Sequence, residues 1–381
     1  MDDVAIVGVG QSNFSRACGI SIKELAFEAF REAMDGLNIG NTEIEASIVC
    51  SSMYDPQRSP ENPISEYLGL TPHPTFLIEN ACAASSTGLK VAWSFIKSGL
   101  YKVVAVIGVE KMSGQTSREV AERMGRMYDV TWESPFGLTM PSGYAMYARA
   151  HMAQYGTTEE QLAKVRVKNA HYSTKNPKAT YRKVLSLAEV LESMPIANPL
   201  KMLDSCANAD GSSCMILAQR DVAKAICKIP IWVAGLGSAS SSGLTRREEF
   251  ASLNCARQAA HQAYTMAGIS PLDIDVAEVH DCFTIAEIMA YEDLGFAKPG
   301  EGPGLIDEKE TYLEGKIPVN IDGGLLCKGH PIGATGGSQI RTIVLQLRGE
   351  GGEVQVKDAA IGLAHNIGGI GHYANVTILR R

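Results

Sequence analysis

The order of strands and helices repeats within this chain, and the repeat restricts the possible folds more than any other feature. A buried strand pattern at Val4–Gly10 is followed by a helix pattern that begins after Ser21 and ends at Gly36. About 230 residues later, Ile231–Gly237 has the same strand pattern with the same glycine ending, and the next helix pattern ends at Gly268. This repetition predicts two similar α/β halves, each with a sheet that is covered by helices.

The correspondence continues along both halves and leaves one long stretch without a counterpart. A strand–helix–strand order runs from residue 76 to 108 and again from residue 318 to 363. Residues 112–200 match nothing in the other half, and long insertions often shape a substrate pocket. We expect an N-terminal half at residues 1–111, an inserted loop domain at 112–200, the completion of the N-terminal half at 201–228 and a C-terminal half at 229–381.

Composition and charge exclude several classes of protein. The 35 basic and 42 acidic residues give a formal net charge of −7 without a Lys/Arg run, so nucleic acid is not an expected partner. No stretch of about 18 apolar residues predicts a membrane span. The acidic start runs directly into a strand pattern, unlike a signal peptide, and the nine cysteines include no C-x-x-C pair. We therefore expect a cytoplasmic protein with reduced thiols and no zinc ribbon of its own.

Cys82 is the first candidate functional residue, because it lies where a strand pattern turns into a helix pattern. A helix N-terminus offers unpaired N–H groups and the positive end of a dipole, and both favour the nucleophilic thiolate. The same N–H groups can bind the oxyanion of an attacked thioester. The alternative interpretation, a small buried residue in a tight turn, stays open from this segment alone.

The second candidate is His330, which lies in the glycine-rich loop Gly324–Gly337 between Gly329 and Pro331. This loop occupies the place in the second half that Cys82 occupies in the first. If a pseudo-twofold axis relates the halves, the two residues face each other at the sheet ends, where open α/β sheets bind ligands. A phosphate-binding loop is less consistent with the sequence, because the G-x-x-x-x-G-K-[ST] order is absent.

Two further segments bring candidate residues to sheet ends. His280 and Cys282 directly follow a strand pattern, and residues 364–371 are interpreted as a glycine loop after the last inner strand, where backbone can approach a ligand closely. A metal site needs three or more ligands, which His280, Cys282 and His330 could supply. Composition alone leaves that alternative open.

These four segments, in this order, resemble the active-site loops of the thiolase superfamily. The most specific runs are His280-Asp281-Cys282-Phe283 and Lys328–Gly336, and the resemblance covers essentially the whole chain. It is closest to thiolases of the sterol carrier protein 2 type and to their stand-alone bacterial and archaeal relatives. The resemblance implies an α/β thiolase fold in which two duplicated halves form a layered αβαβα core with an inserted loop domain.

The resemblance also implies roles for individual residues. Cys82 matches the nucleophile that takes up the acyl group as a thioester. His330 matches the histidine that activates this cysteine and helps to bind the thioester oxygen. His280 stands where other thiolases carry an asparagine that builds the same oxyanion hole.

The residue for proton transfer departs from a common thiolase pattern. Many thiolases have a second cysteine in the last glycine loop, where this chain has Asn366. In the branch that it resembles, the cysteine of the His-Asp-Cys-Phe run takes over, which implies Cys282 as the acid/base. The backbone N–H groups of Cys82 and Gly368 are then expected to form the second oxyanion hole.

The implied activity is CoA-dependent thiolytic cleavage of a 3-oxoacyl-CoA, or the reverse Claisen condensation, through an acyl-Cys82 intermediate. CoA is then a substrate, and neither a metal nor a redox cofactor is implied. The resemblance further implies a homodimer or dimer of dimers, and a small partner subunit with a zinc ribbon and an OB-fold. A diverged C-acyltransferase or retro-aldolase, and a non-catalytic scaffold subunit, remain alternatives.

The acyl group is the least constrained part of the hypothesis. The insertion contains aromatic residues that either line a bulky pocket or belong to core and dimer contacts, and we expect core or dimer contacts for most of them: Tyr128, Trp132, Phe136, Tyr144 and Tyr147. The expected substrates are acetoacetyl-CoA or a bulky aromatic ester similar to benzoylsuccinyl-CoA. Cys327 lies beside the site without an assigned role.

Overall fold

The computed structural model describes residues 3–53 and 57–381 as an alternation of strands and helices. The strands are β1 (Val4–Gln11), β2 (Ala46–Cys50), β3 (Thr75–Ile78), β4 (Val103–Glu110), β5 (Pro195–Ala197), β6 (Leu200–Lys201), β7 (Gly211–Gln219), β8 (Ile231–Ser240), β9 (Val276–Glu278), β10 (Ile361–Gly368) and β11 (Tyr373–Arg380). The helices are α1 (Ile22–Met34), α2 (Glu61–Tyr67), α3 (Ala84–Lys97), α4 (Ser117–Gly125), α5 (Met140–Tyr155), α6 (Glu159–Ser173), α7 (Leu187–Leu191), α8 (Arg220–Ile226), α9 (Asn254–Ala267), α10 (Thr284–Asp293), α11 (Gly302–Asp307) and α12 (Thr335–Arg348).

The main sheet repeats its strand order in mirror image, which confirms the two related halves. Within the described residues it has nine strands in the order β3-β2-β4-β7-β1-β8-β11-β10-β9. The halves meet where β1 pairs with β8 through Ala5–Trp232 and Ile6–Ile231. The counterpart of β3 in the second half is reduced to a single bridge from Val319 to Ala277.

Helices and sheet alternate in layers, because successive strand residues face opposite sides. On β1, Val7 packs outward against Leu25 and Phe30 of α1, whereas Ile6 packs inward against α3 and α12. The inner cluster also contains strand residues of the second half, so α3 and α12 lie between the two half-sheets. Helix α9 covers the outer face of that second half-sheet. The layered αβαβα thiolase fold is therefore confirmed.

The last inner strand is longer than the sequence pattern indicated. Residues 364–371 are interpreted above as a glycine loop, but β10 continues to Gly368 and pairs with β11 as far as Gly368–Tyr373. Asn366 and Gly368 therefore lie on a strand, and the loop between β10 and β11 is shorter than expected. None of the helices in the described parts of the chain combines the length and apolar character that crossing a bilayer requires.

Candidate active site

Cys82 and His330 meet between the two halves, at the N-terminal ends of the central helices. Cys82 lies two residues before α3, and His330 lies five residues before α12. The Nε2 atom of His330 is 3.2 Å from the Cys82 sulfur. This contact is the one that the internal repeat predicts.

Thr335, the first residue of α12, fixes which nitrogen of His330 carries the proton. Its hydroxyl donates to the carbonyl of Pro331 at 2.9 Å and lies 2.7 Å from His330 Nδ1. A hydroxyl has one proton, so towards the imidazole this oxygen acts as an acceptor and Nδ1 must donate. His330 Nε2 is then unprotonated and oriented to accept the Cys82 proton. Sequence reasoning missed this role of Thr335, although the residue lies inside the glycine-rich run.

The backbone on either side of the two residues adopts conformations that aim their side chains. Ala81 precedes the nucleophile at a φ of 49°, a left-handed conformation that costs a non-glycine residue about 1–2 kcal/mol. Gly329 precedes His330 at a φ of 115°, where a Cβ would stand 2.7 Å from the Thr180 hydroxyl. The loop Gly324–Lys328 forms a π-helical turn, a feature that is frequent at functional sites.

Burial keeps the resting pair uncharged, contrary to the thiolate expected at a helix end. Burial raises the pKa of the Cys82 thiol to about 12, although the backbone N–H of Gly369 counteracts the rise. Burial also lowers the pKa of His330 to about 3. Desolvation outweighs the helix dipole here, so the thiol proton moves to His330 when the sulfur attacks rather than beforehand.

His280 lies beside this pair, with its ring at 5.2 Å from the His330 ring. Burial, followed by the neighbouring histidines, lowers the pKa of His280 well below its usual value, so the ring is neutral. Its Nδ1 is 3.0 Å from the amide nitrogen of Asn366. Its Nε2 is buried and has no hydrogen-bond partner among the described residues. A buried, unpartnered nitrogen of this kind can serve an incoming ligand.

The carboxylate of Asp281 ties the His280 loop to the loop of His330. It accepts from the backbone N–H groups of Leu325 at 2.6 Å and Leu326 at 3.2 Å, and from the amide of Asn169 at 2.8 Å. Asn169 lies on α6, so this helix also holds both loops. The middle residue of the run is therefore a scaffold for the residues on either side.

Cys82, Cys282 and His330 line one cavity of about 210 Å³. Its remaining wall is largely apolar and includes Tyr144 and Phe283, whose rings stack at 4.7 Å. Burial raises the pKa of the Cys282 thiol well above its ordinary value, so this group is a protonated acid at rest. Three of the sequence candidates, Cys82, Cys282 and His330, thus share one cavity, whereas His280 is not among its lining residues.

Cys206 is a third thiol at this cavity, and sequence reasoning left it among the inert cysteines. Its backbone N–H donates to the carbonyl of Cys282 at 2.9 Å, and it lines the cavity together with Cys82. Nothing in its local sequence indicates this position, because the contact arises from pairing between distant segments. Cys327, in contrast, does not line this cavity.

Gly369 and Gly368 both border the nucleophile. The N–H of Gly369 bonds to the Cys82 sulfur, and this bond lowers the thiol pKa. Gly368 is one residue earlier, at the end of β10, where a Cβ would stand 2.8 Å from the carbonyl of Asn80. The absence of a side chain at Gly368 therefore permits the close approach of β10 to the Cys82 turn.

The same geometry bears on the metal alternative. Ligand atoms of Cys82, His280 and His330 lie within 4.8 Å of one another, so Cys82 replaces Cys282 in the set that sequence reasoning considered. In that set the sulfur already pairs with His330. The arrangement also suits proton transfer between thiol and imidazole.

The aromatic residues of the insertion divide into two groups. Tyr128, Tyr144 and Tyr147 are buried, and Tyr144 alone among them borders the cavity. Trp132 and Phe136 are exposed by 67% and 77%. The three tyrosines therefore belong to the core, as expected, and for Trp132 and Phe136, which no other described segment covers, dimer contacts stay a prediction.

Comparison with known proteins agrees with this site. The family model of the thiolase N-terminal domain matches residues 4–221, and that of the thiolase C-terminal domain-like family matches residues 237–381. This chain therefore belongs to the thiolase family, and like its acetyltransferase and thiolase relatives it is an acyltransferase.

Three relatives align over nearly the whole chain. Acetyl-CoA acetyltransferase of Methanothermobacter thermautotrophicus is 38% identical over 100% of both chains. Sterol carrier protein 2 of Oryctolagus cuniculus is 32% identical over 99% of this chain and 72% of its own length. Benzoylsuccinyl-CoA thiolase subunit BbsB of Thauera aromatica is 32% identical over 96% of this chain and 94% of its own. The resemblance to the sterol carrier protein 2 branch is thereby confirmed.

A solved structure similar to this chain carries a different activity in its name. The Ltp2–ChsH2(DUF35) aldolase superposes with a TM-score of 0.87 at 25% identity, over 99% of this chain and 97% of that chain. The fold by itself therefore does not separate thiolysis from aldol chemistry, and the side chains of the site have to decide between them.

Proposed function

We propose that this protein is a thiolase that cleaves a 3-oxoacyl-CoA with CoA, or runs the reverse condensation, through an acyl-Cys82 intermediate. The observation that carries the proposal is the 3.2 Å contact between Cys82 Sγ and an unprotonated His330 Nε2. An activated sulfur of this kind is what nucleophilic attack on a carbonyl requires.

The proposed reaction uses both cysteines. The Cys82 proton passes to His330 as the sulfur attacks the 3-keto carbon, and the carbon–carbon bond then breaks. The electron pair passes to the thioester enolate, and the Cys282 thiol protonates its carbon to release the CoA ester of that half, which is acetyl-CoA when the substrate is acetoacetyl-CoA. The thiol of CoA next gives its proton to the Cys282 thiolate and attacks acyl-Cys82. The acyl-CoA leaves, and the expelled Cys82 thiolate takes its proton back from His330, which restores both cysteines.

A basic cavity adjoining the catalytic one provides a route for CoA. It measures about 450 Å³ and shares Ser205, Cys206 and Asn208 with the catalytic cavity. Arg16 and Lys183 lie on its wall. We propose that the phosphates of CoA contact these cations, since the charge of CoA is negative. Charge reversal at both positions should raise the KM for CoA with little effect on kcat.

The size of the catalytic cavity favours a small acyl group. Drug-sized ligands occupy pockets of roughly 300–1,000 Å³, whereas this cavity measures about 210 Å³. Acetoacetyl-CoA is therefore the leading substrate, and a benzoylsuccinyl-type ester is the second candidate because of the similarity to BbsB. Thiolysis rates for a series of 3-oxoacyl-CoA esters of increasing bulk decide between them.

Two exposed apolar surfaces suit the expected partners. The edge strand β3 presents Phe76 and Leu77, and we propose that it pairs with a second copy of the chain. Trp132 and Phe136 are proposed to bind the small zinc-ribbon and OB-fold subunit, since a similar solved structure is a complex with a DUF35 protein. A charged substitution at one residue of each surface tests its role. The mass of the protein alone in solution reports on the β3 surface, and its mass with the purified partner reports on the surface of Trp132 and Phe136.

The thiolysis assay separates this function from its alternatives. Cys82→Ser should fold normally and lose thiolysis, because a serine hydroxyl is far harder to deprotonate than a thiol. A Cys82→Ser protein that still cleaves acetoacetyl-CoA at the wild-type rate would refute the mechanism. Aldol cleavage by the wild-type protein without any thiolysis would support the retro-aldolase alternative. The similarity to a solved aldolase structure is the observation that favours this alternative.

A further inference from the structure

Asn366 joins the nucleophile helix to His280. It lies on β10, with its Oδ1 at 2.7 Å from the hydroxyl of Ser86 on α3 and its Nδ2 at 3.0 Å from His280 Nδ1. Resting on the proposed function, we propose that Asn366 is a positioning residue that holds His280 with its proton on Nε2, so that this N–H can donate to the substrate oxygen.

A chain of hydrogen bonds sets the orientation of the Asn366 amide. The Ser238 hydroxyl donates to Asn375 Oδ1 at 2.6 Å, and Asn375 Nδ2 donates to Ser86 Oγ at 2.9 Å. The Ser86 hydroxyl has two acceptors in reach, Asn366 Oδ1 at 2.7 Å and the carbonyl of Ala83 at 2.9 Å, and donation to the nearer Oδ1 turns the amide N–H₂ towards His280. The chain crosses β8, β11, α3 and β10, so four elements support one imidazole.

The protonation of His280 follows from this orientation. A neutral imidazole has one donor and one acceptor nitrogen. Because Nδ1 accepts from Asn366, Nε2 carries the proton. This N–H is buried without a partner in the described parts of the chain, a situation that costs about 1–3 kcal/mol unless a ligand relieves it. The unpaired donor is therefore kept for the substrate.

His330 and His280 thus face the nucleophile in opposite tautomers. Thr335 makes the Nε2 atom of His330 an acceptor, whereas Asn366 makes the Nε2 atom of His280 a donor. If the Asn366 amide were reversed, the His280 proton would move to Nδ1, and the Nε2 atoms of both histidines would be unprotonated beside the Cys82 thiol. The lone pairs of these two nitrogens would then repel each other. One ring removes the proton from Cys82, and the other stabilises the oxyanion that forms after the attack.

The space for this network depends on close helix packing. A Cβ on Gly336 of α12 would lie 2.7 Å from Asn366 Oδ1 and 2.8 Å from the Ser86 nitrogen. Contacts at that distance would displace the amide or the helix. The glycine therefore allows α12 to approach α3 while Ser86 still reaches Asn366.

Nitrogen-15 NMR of the histidine-labelled protein, without substrate, tests the proposal directly. We expect the His280 ring to have protonated Nε2 and bare Nδ1, and the His330 ring to have the opposite pattern. Loss of each signal in His280→Asn and His330→Asn assigns the two rings. A His280 ring with its proton on Nδ1 in the wild-type protein would overturn the proposal, whether or not any variant is active.

A double-mutant cycle then separates positioning from simple packing. Asn366→Leu should lower kcat/KM by about 10- to 100-fold, somewhat less than the loss of an oxyanion-hole donor. In a His280→Asn protein, the new amide N–H₂ can donate without depending on a tautomer. Asn366→Leu in this background should therefore lower kcat/KM by less than about threefold. Equal losses in both backgrounds would show a merely structural role and overturn the proposal. A protein with the expected tautomer but no thiolysis would refute the proposed function and leave the role of Asn366 intact.

Discussion

Replacing Thr335 by valine tests the assignment of His330 as the base without changing either reacting residue. Valine has nearly the shape of threonine, so it keeps the packing at the start of α12 and removes the hydroxyl. The hydrogen bonds lost are those to His330 Nδ1 at 2.7 Å and to the Pro331 carbonyl at 2.9 Å. Both of these partners are buried, so each one left unpaired costs about 1–3 kcal/mol.

The expected effect on the reaction follows from the tautomer equilibrium. Losing about 1.4–2.8 kcal/mol of preference for the Nδ1–H form shifts the tautomer ratio of His330 by about 10- to 100-fold, and because the imidazolium that forms during the attack loses the same acceptor for its Nδ1–H, we expect kcat/KM to fall by about 10- to 100-fold. Single-turnover acylation of Cys82 by acetyl-CoA measures the affected step, and Thr335→Ser is the matched control that keeps the hydroxyl. A folded Thr335→Val protein that acylates within threefold of wild type would show that Thr335 does not control the protonation of His330.

Three further predictions follow from individual residues. Cys282→Ala should abolish carbon–carbon cleavage while acetyl-CoA still acylates Cys82, and loss of acylation as well would contradict separate roles. Gly329→Ala should lower stability and activity together, because a Cβ at a φ of 115° would lie 2.7 Å from Thr180 Oγ1; an unchanged melting temperature would argue against this strain. Burial lowers the pKa of His365 to about 3. Its contribution to the free energy of unfolding is therefore fully present above the unfolded pKa and falls as the pH drops from about 6.5 towards 3. His365→Phe should therefore remove about 2 kcal/mol of the stability difference between pH 6.5 and pH 5 in urea unfolding, and an unchanged difference would show that the folded ring titrates normally.

The arrangement of the two halves could be predicted from the sequence because it depends on an internal repeat. Val4–Gly10 and Ile231–Gly237 match in pattern, and their strands β1 and β8 are adjacent at the centre of the sheet. The same repeat places Cys82 and His330 at equivalent helix ends, so their contact follows from symmetry. The domain boundaries, including the insertion at 112–200, stay predictions.

The supporting network could not be predicted in the same way, since its members are far apart in sequence and common in type. Ser86 and Asn366 are separated by 280 positions, and neither lies in a run that indicates hydrogen bonding to the other. The protonation states also escaped local reasoning. The turn at Cys82 suggests a thiolate, but burial by both halves decides the pKa, and burial is a property of the complete fold.

Peptide mass spectrometry after brief incubation with acetyl-CoA shows whether Cys82 carries the acyl group. We expect one acetyl group on the Cys82 peptide, bound as a thioester that hydroxylamine or added CoA removes. The acetyl group should be absent from Cys82→Ser and strongly reduced in His330→Asn. Acetylation of the Cys282 or Cys206 peptide in place of Cys82, or no covalent adduct under conditions of active thiolysis, would contradict the account.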